Sequence, residues 1–328
     1  MHTRRRVGTG ALFAAASAAV PRVAARAQAA WPGERPIEVV VPYPPGGGVD
    51  TTTRLVLRFA PNHLPGARFV VVNRPGAGGQ LGFEAAFHAA ADGWTLCAVT
   101  APAMLAMPIE RTVRYRPLDW TFFANVVDDP NAFYVAAESR LRSVADLVAE
   151  AKARPGGLSY GSTGVGGDDH IAMLAFEALS GIPPMVHAPF AGNAPATQAL
   201  LGGHLGLLVG NIGENLALLR EGRVRCLAVA APERLPQAAE QPTFREQGID
   251  LVTGASRGLI GPPGMPAAVR ARLQAAFAAT VADPDFVGEA QRLGMPLRPL
   301  IGEDYARMLT TMEASLRELW QRRPWREG

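Results

Sequence analysis

Three glycine-rich loops, each between a short apolar run and a helical pattern, constrain the fold of this chain more than any other feature. The loops are residues 43–50 (YPPGGGVD), 73–80 (NRPGAGGQ) and 160–167 (YGSTGVGG). The first apolar runs, at 37–41, 69–72 and 95–99, are short enough to be buried strands. Strands and helices that alternate in this way predict an α/β protein.

Length and composition narrow the class of protein. At 328 residues, 48% apolar and 19% charged, the chain is globular and long enough for two domains. Lys152 is the only lysine, which argues against P-loop and Schiff-base chemistry. Cys97 and Cys226 lie far apart in apolar runs, so we expect buried thiols and neither a disulfide framework nor a cysteine-rich metal site.

The first 29 residues are predicted to be a signal peptide. Arginines at 4–6 precede an apolar stretch at 7–20, and Ala27-Gln28-Ala29 has the small residues of a cleavage site. The arginines are compatible with twin-arginine or Sec export, so a periplasmic protein starting near Ala30 is expected. Removing the five arginines of this segment from the net charge of +3 leaves −2, which argues against nucleic acid as a partner.

Glycine loops at helix starts predict an anion-binding cleft, because their free N–H groups attract negative charge. A dinucleotide site is not expected, because Thr51, Leu81 and Asp169 occupy the position of the third glycine. We therefore predict no cofactor. Residues 168–170 (DDH) are interpreted as a helix start, with Asp168 or Asp169 as its cap, rather than as a metal site.

A hydrolase is the rival from another class. Residues 254–258 spell the G-x-S-x-G motif around Ser256, but the last histidine is His204, and that hydrolase fold needs its histidine after the serine. An exported α/β esterase is kept as the less favoured alternative, and the chain is predicted not to be an enzyme.

The motifs together resemble the Bug family, the TctC-like periplasmic solute-binding proteins of tripartite tricarboxylate transport systems. The resemblance runs from Trp31 to about Trp320. It is carried, in this order, by residues 42–50, 73–82, 92–96, 164–166 with His170, 187–192, Gly222 with 227–229, and 261–266.

The resemblance implies a two-lobed Venus-flytrap fold with a mixed sheet in each lobe and a small carboxylate closed between the lobes. Lobe 1 is predicted to comprise residues 30–132 and 254–328, and lobe 2 residues 133–253. The chain is expected to cross between them at Pro130-Asn131 and Thr253-Gly254. The implied partners are a small carboxylate or related metabolite and the permease subunits of a tripartite transporter. A membrane sensor partner stays open as an alternative, and a monomer is expected.

Carried onto this sequence, the resemblance places ligand-binding residues in both lobes. In lobe 1 they are Tyr43, Gly46, Gly47, Gly48, Asp50, Gly78, Gly79, Gln80, Thr100 and Ala101. In lobe 2 they are Ser162, Thr163, Gly166, His170 and Asn211. Asp50 is expected to hold its loop or an ordered water, because it would repel a carboxylate.

The chain departs from the family pattern at four positions. The family usually has Lys at Ala191, Asp at Gly206, Ser at Gly167 and Trp at Ser256. A cation and an acid are thereby lost near lobe 2, so the family's usual recognition of the distal end of the ligand is not carried over. Ligand identity stays open.

Overall fold

The computed structural model describes residues 31–325. The predicted signal peptide, residues 1–29, lies outside this range. The strands are β1 (Ile37–Val41), β2 (Phe69–Asn73), β3 (Thr95–Ala101), β4 (Thr121–Ala136), β5 (Ser159–Ser162), β6 (Val186–Pro189), β7 (Leu207–Asn211), β8 (Val224–Val229), β9 (Gly254–Gly261) and β10 (Leu297–Ile301).

Helices follow most of these strands. They are α1 (Gly48–His63), α2 (Gln80–Phe87), α3 (Ala103–Glu110), α4 (Val144–Ala153), α5 (Asp168–Ser180), α6 (Asn193–Leu201), α7 (Ile212–Arg220), α8 (Ala267–Ala282), α9 (Pro284–Arg292) and α10 (Glu303–Arg322). No helix within residues 31–325 is both long and apolar enough to cross a bilayer.

Local sequence explains where several helices begin and end. The Ser143 hydroxyl accepts a hydrogen bond from the Asp146 N–H, and the Asp146 carboxylate accepts one from the Ser143 N–H, so the predicted capping box starts α4. The predicted cap of α5 was wrong. Gly167 is the N-cap, and Asp168 and Asp169 lie in the first turn, where carboxylates also stabilise the helix dipole.

Two mixed sheets share one long strand. The first has the order β2-β1-β3-β9-β4-β10, with β1 parallel to β2 and β3 and the other pairs antiparallel. The second has the order β6-β5-β7-β4-β8, with β5 parallel to β6 and β7. The predicted α/β class is confirmed.

The sheets meet where β4 changes partners. Thr121–Pro130 faces β9, whereas Asn131–Ala136 faces β7 and β8. Asn131 N donates to Thr253 O over 3.0 Å, and Thr253 N donates to Ala230 O over 3.1 Å. The second connection therefore lies hydrogen-bonded beside the first, at the two positions where lobe crossings were predicted.

Each sheet is covered by its own apolar core. Phe123, Phe277 and Phe286 are fully buried on one face of the first sheet. Phe133, Phe176 and Phe244 form a cluster on the second, with ring centroids 4.8–5.6 Å apart. Since parallel strands point their carboxyl ends at one edge of a sheet, the loops after β1, β2 and β3 lie together on the side of lobe 2.

Candidate ligand cleft

The loop after β1 is braced by Asp50. One carboxylate oxygen accepts hydrogen bonds from Gly46 N and Arg54 Nε, both over 2.9 Å, and the other accepts from Asn73 Nδ2 over 2.9 Å. Burial opposes ionisation, but these hydrogen bonds lower the pKa of Asp50. The side chain therefore holds its loop, while Gly47 and Gly48 begin α1 and present the helix start.

The loop after β2 packs against the loop after β1. Gly79 has φ +105°, and a Cβ built there would lie 3.1 Å from the Tyr43 ring, so this position requires glycine. The Tyr43 hydroxyl is buried with no hydrogen-bond partner in the described chain.

Gly78 lies beside Met107 and Arg111. The Gln80 side chain turns away from the loop and donates to Glu84 Oε1 over 2.8 Å.

Thr100 and Ala101 end β3 directly beside β9. Thr100 is paired in register with Arg257, and Ala101 with Ser256. Ala101 is fully buried and Thr100 is 9% exposed. These two residues therefore lie at the carboxyl end of β3, beside the start of β9, where the chain re-enters the first sheet.

The loop after β5 in lobe 2 repeats the bracing of the β1 loop. Gly46 N donates to Asp50, four residues on, and Gly166 N donates to His170 Nδ1, also four residues on. Both glycines have positive φ, +84° and +71°, and a glycine N-cap follows each of them. The two lobes thus present helix starts of matching shape.

Ser162 and Thr163 use their hydroxyls inside this second loop. Ser162 Oγ lies 2.6 Å from His187 Nε2, and Thr163 Oγ1 donates to Asp169 Oδ2 over 2.8 Å. The His187 ring stacks on His170, with centroids 4.2 Å apart. Burial lowers the pKa of His170 to about 3 and that of His187 to about 4, so both rings are neutral at pH 7.

The lobe 2 loop also touches lobe 1. A Cβ built on Gly166 would lie 3.4 Å from Glu110 Oε2 and from Trp325 Nε1. Arg323 Nη1 lies 3.1 Å from Glu177 Oε2 of α5. The segment after α10 therefore packs across from the first lobe onto the second.

Asn211 lies at the centre of a buried polar network. Its Nδ2 donates to Asp168 Oδ2 over 2.8 Å and to the Asp129 carbonyl over 2.9 Å, and its Oδ1 accepts from Arg257 Nη2 over 2.9 Å. Arg257 also pairs with Asp129 over 2.9 Å and with Glu214 over 2.8 Å. Both lobes therefore contribute to one ion-pair cluster.

Electrostatics in this cluster follow from burial and an excess of carboxyl groups. Burial raises the pKa of Glu214 to about 7, although Arg257 opposes the shift. Burial and the neighbouring charge of Asp168 raise the pKa of Asp169. Negative charge is thus costly here, even with a guanidinium beside it.

The cluster comes closest to the β1 loop at Gly48. A Cβ built on Gly48 would lie 2.5 Å from Arg257 Cζ and 2.5 Å from Glu214 Oε1. The structure therefore brings Gly48 and Asn211 to the same guanidinium. Ser162, Thr163 and His170 lie farther along the same edge of lobe 2, around the start of α5.

Sequence reasoning missed Arg257, Asp129, Asn131 and Glu214. Arg257 had a recognisable signal, because it is a lone charge inside the apolar strand GASRGLIG, and a buried arginine needs acidic partners. Those partners come from β4 and α7, far away in sequence, so no local pattern identifies them.

The G-x-S-x-G motif does not form a nucleophile elbow. Residues 254–258 lie inside β9 rather than at a strand-to-helix turn. Ser256 is fully buried and its hydroxyl donates to Asn125 Oδ1 over 2.7 Å. The geometry gives this serine a structural hydrogen bond and no adjacent base within residues 31–325.

A cavity of about 740 Å³ lies between the lobes, beside the connections at Thr253 and Gly254. Its walls come from α5 of lobe 2 and from β10 and α10 of lobe 1, and they include Pro102 and Asp168. The volume is that of a small-molecule site.

Within residues 31–325, no group of three or more His, Cys, Asp or Glu side chains could hold a metal ion.

Two mixed sheets joined by adjacent strands, with matching glycine loops at their facing edges, define a two-lobed solute-binding protein. Residues 59–320 match the model of the tripartite tricarboxylate transporter family receptor. The chain belongs to this family, and the predicted resemblance to Bug/TctC solute-binding proteins is confirmed.

Relatives and solved structures agree with this assignment. A UPF0065 protein from the tcbD-tcbE intergenic region of Pseudomonas sp. (strain P51) is 31% identical, over 88% of this chain and 87% of its own. MatC from Rhodopseudomonas palustris, solved with malate, has 28% identity and a TM-score of 0.79, covering 87% of this chain and 99% of that one. An R. palustris protein solved with adipate has 28% identity and a TM-score of 0.81, covering 89% and 97%. The predicted two-lobed fold is confirmed by these neighbours.

Proposed function

We propose that this protein captures a small carboxylate between its lobes and delivers it to the permease of a tripartite transporter. The observation that carries the proposal is the matched pair of glycine loops at the starts of α1 and α5, each braced from within by the residue four positions on. The bracing holds each loop in shape and leaves backbone N–H groups at two helix starts available to a ligand. A carboxylate is stabilised at such a helix start without a bound cation.

The bracing also explains how lobe 1 can bind a negatively charged ligand close to Asp50. Asp50 would repel a carboxylate, but its two oxygens are occupied by Gly46, Arg54 and Asn73. The neighbouring proteins solved with malate and adipate support a carboxylate as ligand class. Binding and release without turnover is the corresponding activity.

Isothermal titration of the folded protein tests the ligand class. Carboxylates of increasing length should bind, whereas their methyl esters and primary amides should bind at least tenfold more weakly, since they lose the charge that helix starts attract. Equal affinity for acid and ester would contradict the carboxylate proposal. Steady consumption of the ester that stops in Ser256→Ala would instead favour the esterase.

The transport role needs a separate test, because a sensor would bind the same ligand. With the permease genes expressed from a constitutive promoter, deletion of this protein should abolish uptake of the radiolabelled ligand. Unchanged uptake, with loss only of a transcriptional response, would contradict transport and identify a sensor.

A further inference from the structure

The cavity between the lobes lies on the opposite face of β9 from the contact between the β1 loop and lobe 2. On one face of β9, Arg257 points toward Gly48 and Glu214. Successive residues of a strand point to opposite faces, and a Cβ built on the next residue, Gly258, would lie 2.7 Å from the Tyr305 hydroxyl of α10. The helix α10 forms one wall of the cavity, and among the described residues no member of the three glycine loops lines it. The cavity is therefore separate from the proposed carboxylate site.

Both long walls of the cavity are apolar. Side chains at helical spacing on α10 face it from lobe 1, and a pair on α5 faces it from lobe 2; they are Met308, Met312, Leu316, Leu319, Ile171 and Ala175. The two methionines and Leu319 are only partly buried, so apolar surface remains uncovered there. Covering apolar surface is favourable, and unbranched methionine side chains adapt to occupants of different shape. The walls therefore favour an occupant with an apolar body.

The outer end of the cavity carries both signs of charge, and each charge has a partner. Arg298 is exposed and hydrogen-bonded to Asp128, and Asp304 is exposed and hydrogen-bonded to Arg307. The wall hydroxyls of α10 donate to carbonyl oxygens one turn earlier in the same helix. The outer end therefore offers no unpaired charge to an ionic ligand.

The inner end of the cavity holds one acceptor, the carboxylate of Asp168, which is 9% exposed. Its Oδ2 accepts from Asn131 Nδ2 and Asn211 Nδ2, both over 2.8 Å, whereas its Oδ1 accepts no hydrogen bond from residues 31–325. This oxygen can therefore accept from an occupant. Although burial opposes the charge of Arg257, the carboxylates around it, Asp168 included, raise its pKa. An ammonium at Asp168 would be repelled by this guanidinium, but a neutral donor would not.

We infer that this cavity is a second binding site, for a neutral apolar molecule with a hydroxyl at one end. The hydroxyl donates to Asp168 Oδ1, and the apolar body packs between α5 and α10. Because these helices belong to different lobes, the occupant favours the interlobe arrangement of this structure. The inference is independent of the proposed capture of a carboxylate at the glycine loops.

Four probes that share one alkyl chain test the ligand class by isothermal titration. They are 1-octanol, octanoate, octylammonium and 1-methoxyoctane, an ether that has no donor. The alcohol should bind at least tenfold more tightly than the ether, because the ether loses a hydrogen bond to a carboxylate. It should also bind more tightly than either ion, counting only ion binding that the cavity-filling variant below abolishes. No binding of 1-octanol, equal binding of the ether, or tighter binding of an ion in the cavity would overturn the inference.

A cavity-filling variant tests the location. Ala175→Phe places a ring in the cavity from α5, and the matched control Ala178→Phe places one on the exposed face of the same helix, outside the wall. The affinity for 1-octanol should fall at least tenfold in the first variant and change less than twofold in the second, with the melting temperature showing that both fold. Met312→Trp fills the cavity from α10 and replaces Ala175→Phe if that variant does not fold. Unchanged affinity in a folded filling variant would overturn the site.

Asp168→Asn tests the hydroxyl contact. The asparagine oxygen can still accept from Asn131 and Asn211, and its amide N–H then faces the cavity, where an alcohol and an ether can both accept. The tenfold preference for 1-octanol over 1-methoxyoctane should therefore disappear. The control is Asp285→Asn, which changes an acid in the first turn of α9, outside the wall, and should keep the preference. A preference retained in folded Asp168→Asn would overturn the assignment of the hydroxyl.

Discussion

At the scale of single residues, we expect Gly48 to limit how closely the lobes can approach. Gly48→Ala should weaken ligand binding at least tenfold, because its Cβ would need the space of Arg257 Cζ and Glu214 Oε1. Titration calorimetry measures the loss. The comparison variant is Gly47→Ala, whose Cβ meets only the Pro44 carbonyl at 3.9 Å. Equal affinities of the two variants would contradict a specific role for the Gly48 contact.

Arg257 is the second residue with a large predicted effect. Arg257→Gln leaves the buried Asp129 and the partly buried Glu214 without their cation, so the free energy of unfolding should fall by about 3 kcal/mol or more. Urea denaturation provides the measurement. Arg298→Gln is the control, since Arg298 is 57% exposed and pairs with Asp128 at the surface, and it should cost less than about 1 kcal/mol. Similar losses for both variants would contradict the buried-network account.

The glycines show what sequence can and cannot predict at this scale. Their glycine content identified both first-lobe loops in the sequence. The individual glycines, however, are there for different structural reasons. Gly79 has φ +105° and lies against Tyr43, whereas Gly47 has φ −75°, which any residue can adopt. The roles of Ser162 and Thr163 as ligand contacts stay predictions, because both hydroxyls also have partners inside the protein.

At the scale of elements, the histidine stack between β5, β6 and α5 makes stability depend on pH. His170 and His187 have folded pKa values of about 3 and about 4, below the usual value near 6.5 of an unfolded chain. Between the folded and the unfolded pKa values, the unfolded state binds more protons than the folded state. The contribution of the two histidines to the free energy of unfolding is therefore fully present above pH 6.5 and is lost as the pH decreases. Each histidine should contribute a loss of about 1.4 kcal/mol per pH unit in that window.

The measurement is urea unfolding from pH 7 to pH 4.5, compared between the wild type and His187→Phe. Phenylalanine keeps a ring to stack on Tyr160, 4.8 Å away in the wild type, but cannot take up a proton. Carboxyl groups with a raised pKa, such as Glu214, change the stability in the opposite direction as the pH falls, and they are present in both proteins. The variant should therefore lose less stability on acidification, and parallel curves would contradict the role of the stack.

Helix boundaries were more predictable than strand partners. The capping box of Ser143 and Asp146 is local, so the sequence located α4 accurately. The pairing of β4 with β9, β7, β8 and β10 depends on residues far apart in the chain, and periodicity contains no information about such partners. For the same reason the Arg257 cluster, built from three separate elements, could not be predicted.

At the scale of the whole molecule, the prediction of export depends on residues 1–29, which lie outside the described part of the chain. Purified periplasmic protein should begin at or within a few residues of Ala30, as measured by N-terminal sequencing. Replacing arginines 4–6 with lysine preserves the positive charge, so it should block only twin-arginine export and leave Sec export intact. Full-length protein found solely in the cytoplasm would contradict a cleaved signal.

The position of β9 has a consequence for how the chain is synthesised. In the first sheet β9 lies between β3 and β4, yet it follows every strand of the second sheet in the sequence. While the chain leaves the ribosome, lobe 2 can pair all of its strands before β9 appears, but β3 and the first half of β4 keep open edges. Open strand edges are sites of aggregation. The interval between residues 136 and 254 is therefore when the nascent chain most needs a chaperone.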